Sequence, residues 1–174
     1  MENKMDWIVW IITAIIALLC IVVIAVFYNL TKLQEDAREK YLKLESYRME
    51  RWEMTKKLAK CIEKFPNVDK KYEETKNLFG RDYLILSKEE KSIYFQEMEG
   101  FLAKLLMEVK NHSSLQCEEK IRNICKRLNE ETVMYHNAEM YYEHSVHCLN
   151  DKIDKVPERY VARIFGIQKE PGLK

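Results

Sequence analysis

The sequence predicts an all-α protein: a single N-terminal transmembrane helix continuing into an elongated antiparallel three- to four-helix bundle. Three observations carry that prediction. Residues Trp7 to Phe27 form an apolar run without a charge, a proline or a glycine. The remaining chain is rich in Lys, Glu, Leu, Met and Tyr, a helix-forming composition. The whole chain holds only 4 Gly and 3 Pro, so the punctuation that ends helices is sparse.

At about 1.5 Å per residue a helix over this run just crosses a hydrocarbon core of about 30 Å. A cleaved signal peptide is disfavoured. The leader has Lys4 against Glu2 and Asp6, the apolar stretch exceeds an ordinary h-region, and no A-x-A-like site ends it. Lys4 stands alone before the run, whereas Lys32, Arg38, Lys40 and Lys43 follow it. The positive-inside bias therefore predicts a short N-terminus outside (1–6), a transmembrane helix (7–27) and a cytoplasmic helical bundle (28–166) followed by a tail (167–174). Trp7, Trp10, Phe27 and Tyr28 fall where interfacial rings are favoured. Thr13 and Ala17 make a small-xxx-small pair, a weak helix-pairing signal in a span without GxxxG.

With Lys4, Glu2 and Asp6 set aside, 28 basic and 26 acidic residues remain, their signs interspersed. A nucleic-acid binder needs a concentrated basic face, so no nucleic-acid partner is expected. The 5 cysteines are odd in number and include no CxxC, the usage of reduced thiols without a metal framework.

From the span to Phe65 apolar residues recur in steps of three and four: Leu30, Leu33, Ala37, Tyr41, Leu44, Tyr47, Met54, Leu58, Ile62 and Phe65. This is a helical stripe that Pro66 ends. One step of seven interrupts it, and Arg51 occupies the missing place. A short helix is expected over Asp69–Leu78, ended by Gly80. Ser87 and Glu90 form a capping box that opens a helix from Lys88 to Val109. After the polar break Asn111–Ser114, a long helix covers Gln116 to about Lys155. Its stripe includes Ile121, Leu128, Tyr135, Tyr142, Leu149 and Ile153. Pro157 suits the first turn of a last short helix and Gly166 its C-cap. Short connections favour antiparallel neighbours, and the same seams allow pairing between chains as a homo-oligomer.

The last helices carry a resemblance. Glu130 to Gly166 is similar to the end of LemA-family proteins at Ala138, Tyr142, Val146, Asn150, Ile153, Pro157, Ala162, Phe165 and Gly166. Tyr28-Asn29 resembles that family's YN after the anchor, and Arg51–Phe65 resembles its first long segment. The departures are Glu131, Thr132 and Val133 in place of T-E-N, Glu143 for Asn, Leu149 and Val156 for aromatics, and Lys56 for Pro. Against the family pattern the stretch 66–87 is shortened or rebuilt. The resemblance implies a bacterial, membrane-tethered helical bundle at the inner membrane, a divergent member of the family. It implies no established chemistry.

Arg51, at an apolar position, must be paired if buried. It either meets Glu131 or Glu139 of the long helix and sets the bundle's register, or it lays its stem on the core and reaches the edge. Arg51, Tyr142, Asn150, Pro157, Phe165 and Gly166 are read as structural residues. His136, Glu143 and His147 share a helix face and are the weak candidates for a metal, but one face offers too few ligands. No phosphate loop, nucleophile elbow or H-E-x-x-H occurs, so no catalytic residue, cofactor or enzyme activity is expected. The function expected is a scaffold or adaptor for protein partners at the membrane. The alternatives are a self-associating structural protein and a metal-binding module or metal-dependent enzyme.

Overall fold

The computed structural model describes residues 2–65, 78–80 and 83–173, and its described residues are helical without a strand. The elements are α1 (Glu2–Ile62), a 3-10 turn (Tyr83–Ile85), α2 (Lys88–Asn111), α3 (Ser113–Cys117), α4 (Glu119–Ile153) and α5 (Glu158–Phe165). The all-α expectation is met. The expected Asp69–Leu78 helix and the stop at Pro66 fall, apart from Leu78, outside the described residues.

The apolar run and the following stripe form one helix. No proline or glycine lies between Glu2 and Ile62, so every backbone amide after the first turn finds its i−4 carbonyl. α2 starts where the capping box predicts. Ser87 accepts from the Glu90 amide, and the Glu90 carboxylate accepts from the Ser87 amide at 2.8 Å. The expected break at Asn111–Ser114 shrinks to His112, because Ser113–Cys117 closes a helical turn of its own before α4 begins. Pro157 caps α5 from just outside rather than sitting in its first turn. Gly166, at φ 70°, ends that helix in the left-handed conformation, and the Ile167 amide donates to Ala162 O at 2.9 Å.

The described chain divides into two compact units, each containing part of α1 and part of α4. The first holds residues up to Tyr41 together with Tyr141–Gly172. In it α1 and α4 are antiparallel: Tyr41 stacks near Tyr142, Asp36 meets Ser145, and Leu30 packs with Leu149 and Ile153. Val161 and Ala162 of α5 complete that cluster.

The second unit holds Leu42–Met140. Its core joins Met54, Leu58 and Ile62 of α1, Phe101, Leu102 and Leu105 of α2, and Ile121 and Leu128 of α4. α4 is again antiparallel to α1, as expected. α2, however, runs parallel to α1: Glu45 pairs with Lys91, Arg48 lies over Phe95, and Arg51 pairs with Glu99. The chain between the two helices has turned back by then. Phe79 packs on Trp52, and farther along the chain Tyr83 reaches Glu45, seven residues earlier on α1. α2 therefore starts again beside the middle of α1 and repeats its direction.

Candidate functional site

The buried seam of α1 in the second unit runs Leu44, Arg48, Arg51, Thr55, Leu58, Ile62, steps of four and three without a gap. Two arginines thus occupy core positions, where an unpaired charge would cost several kcal/mol. Arg51 is 4 % exposed and makes all its contacts within the protein. Its Nε and Nη2 donate to the two Glu99 oxygens at 2.8 and 2.7 Å, a bidentate pair. Its Nη1 donates to Thr132 Oγ1 at 3.0 Å and to Leu128 O at 3.3 Å. The guanidinium also lies over the Tyr135 ring. The expected partner, Glu131 or Glu139, is corrected to Glu99 of α2. The long helix contributes a hydroxyl and a carbonyl instead, because α2 parallel to α1 brings Glu99 level with Arg51.

Arg48 stands one turn earlier, over the Phe95 ring and 3.4 Å from Glu45 Oε1. Burial pulls its proton affinity down, but Tyr135, Tyr83 and Glu45 outweigh that and raise it. Glu45 accepts also from the Tyr83 hydroxyl at 3.0 Å and from Lys91 at 3.1 Å. Sequence reasoning passed over Arg48 and Thr55 in favour of Tyr47 and Met54. The unbroken four–three spacing from Leu44 was the signal for them. Trp52 donates to the Tyr94 hydroxyl, which donates to Leu78 O, both at 2.8 Å.

At the rim of this polar layer Arg127 reaches Glu50 at 3.2 Å and Glu131 at 3.9 Å. Burial and the neighbouring Glu50 carboxyl push the Glu131 acid up to about 7, against the pull of Arg127 and Arg51.

In the first unit the resemblance residues converge on one task. The Asn150 side chain donates to Glu170 O at 2.9 Å and accepts from the Glu170 amide at 3.1 Å. The Tyr142 hydroxyl donates to Pro171 O at 3.0 Å. Lys169 pairs with Asp154 at 2.7 Å. The segment after α5 is thus strapped along α4 by side chains that read its main chain. Glu143 lies beside this strap, where a Cβ on Gly172 would come within 3.3 Å of its Oε2. Phe165 is half exposed, its ring 4.5 Å from that of Phe27.

The other metal candidates stay on their own helical turns: His136 meets Glu139 and His147 meets Asp151, each at 3.4 Å. Among the described residues no three His, Cys, Asp or Glu side chains gather to hold a metal. The cysteines are free thiols. Cys61 and Cys125 pack against the core of the second unit, and burial raises the Cys125 thiol. Cys148 lies 3.6 Å from His144, one turn back, rather than against the adjacent His147.

Among the described residues one helix is long and apolar enough to cross a membrane. The LemA family model matches residues 26–174, and the chain belongs to the LemA family. No curated protein and no solved structure matches it.

Three outcomes test these assignments. Arg51→Met strands Glu99 and lowers stability by about 3 kcal/mol in chemical denaturation, and adding Glu99→Leu recovers part of that loss. The neutral Glu131 acid is favoured in the fold, so its contribution is present below the unfolded carboxyl value of about 4.3 and fades as pH rises through about 7. Glu131→Gln should flatten that decline in melting temperature. Asn150→Ala removes both strap bonds, costs about 1–2 kcal/mol, and speeds amide hydrogen exchange at Glu170.

Proposed function

We propose that this protein is a single-pass bacterial inner-membrane protein. Its N-terminus is outside, its helical units are cytoplasmic, and they act as a scaffold or adaptor for protein partners. One observation carries the reading. Among the described residues the apolar stretch of α1 is exposed apart from its last turns, where Val23, Val26 and Phe27 meet the cluster at α5, and the same helix goes on to build both folded units. An uncovered apolar helix of this length is stable in lipid and aggregates in water. The excess of Lys and Arg after the span supports the orientation.

The helical surfaces support the partner role. Ile85, Ile93, Met107, Val133, Met134 and Met140 are exposed in the second unit. Exposed apolar residues of this size mark contact surfaces when they cluster. Nothing in the chemistry of the polar layer calls for a substrate. Arg51 is committed to structural bonds with Glu99, Thr132 and Leu128 O.

The test is a native purification of the C-terminally tagged chain from membranes in mild detergent. Intact mass spectrometry should find residues 7–27 retained, and a partner should co-purify in fixed ratio. A mature chain lacking those residues overturns the anchor. A partner-free homo-oligomer overturns the adaptor role in favour of self-association. A bound metal favours the metal-dependent reading.

A further inference from the structure

The feature that the scaffold reading leaves unexplained is the outer half of α5. This helix has eight residues, yet Tyr160 is 62 % and Ile164 74 % exposed, and Val156 just before it is 69 % exposed. Large apolar side chains gathered on one side of a short helix mark a contact surface.

Their position supplies one. The inner face of α5, Val161 and Ala162, packs with Leu30, Leu149 and Ile153, and that cluster covers Val23 and Val26 of α1. Both valines belong to the apolar run. The Phe165 ring meets Phe27, the last residue of the run. α5 therefore packs at the last turns of the apolar run, and Tyr28, the next residue of α1, is exposed. At about 100° per residue, Tyr160 and Ile164 form one outward strip, and Arg159 and Arg163 form a second roughly 100° round the helix. Lys155 is exposed just ahead of them. The neighbouring acids are engaged, Asp154 by Lys169 and Glu158 by Lys152. What faces outward is apolar on one flank and basic on the other, the arrangement of a helix lying in a bilayer interface.

We propose that α5 docks into the surface of an anionic bilayer, with Tyr160, Ile164 and Phe165 at the acyl-chain boundary and Arg159 and Arg163 on lipid phosphates. The inference rests on the reading of residues 7–27 as a membrane span. The protein would then touch its membrane twice, once through the span and once through α5. The second contact fixes how the first unit stands on the bilayer, because a lone helix leaves rotation about its own axis free.

The experiment uses the full chain reconstituted in phosphatidylglycerol-containing vesicles, with the photo-crosslinker p-benzoylphenylalanine replacing one residue at a time. Ile16 reports on the span, Ile164 on α5, and Tyr141 on an exposed part of α4 about 18 Å from Ile153 at 1.5 Å per residue. Lipid adducts are expected at Ile16 and Ile164 and not at Tyr141. Adducts at Ile16 without adducts at Ile164, or Ile164 adducts to protein instead, overturn the docking and leave the span standing. Loss of the Ile16 adduct overturns the span reading and the docking with it. Arg159→Glu with Arg163→Glu should cut the Ile164 lipid yield at least about fivefold and leave the Ile16 yield unchanged. An unchanged Ile164 yield, or the same yield in phosphatidylcholine vesicles, overturns the anionic preference.

Discussion

A guanidinium at a core position constrains everything around it. Arg51 stands where the stripe of α1 calls for an apolar side chain, and it cannot be left unpaired. Its five N–H donors form a rigid fork, so the acceptors must come to it at fixed angles. Glu99 fills one side of the fork, and Thr132 and Leu128 O the other. Three helices are thereby held at one level. A slip of one turn along any of them would separate these partners by about 5.4 Å. Apolar side chains tolerate such slips more readily, since their contacts carry no direction. In this unit the polar layer is directional and the surrounding Leu, Ile and Phe residues form the apolar core.

The fold class was legible because its signals are local. The apolar run, the Ser87 capping box, and Gly166 at a left-handed cap each depend on neighbours within a few residues. The direction of α2 was not legible. It depends on how the chain returns between Ile62 and Lys88, and no local pattern states that a connection doubles back. The expected partner lay on α4, whereas α2, running parallel to α1, brings Glu99 to Arg51. The need for a partner was read from one residue, but its identity required the topology. Arg48 was missed for a different reason. A stripe traced through apolar residues alone runs by Tyr47, although the spacing from Leu44 passes straight through Arg48 to Arg51.

The family resemblance gains a physical account from the first unit. Tyr142 and Asn150 lie eight residues apart, about 80° round α4 from each other, and both hold the segment that follows α5. Asn150 does so with a donor and an acceptor at once, as a strand neighbour would. Gly166 directs the chain toward them by a turn that a side-chain-bearing residue adopts at a cost. These positions look unrelated along the sequence. They are parts of one closure.

That closure reads backbone and not side chains at Glu170 and Pro171. A clamp built on carbonyls and an amide is indifferent to the side chains that present them, proline at position 170 excepted. Substitutions in the strap can therefore accumulate with little penalty so long as its extended path survives, whereas the amide of Asn150 has no chemical substitute that offers both roles with the same reach. Variation and constraint are split between the two sides of a single interface. The strap is where side-chain substitution changes the surface without reopening the fold.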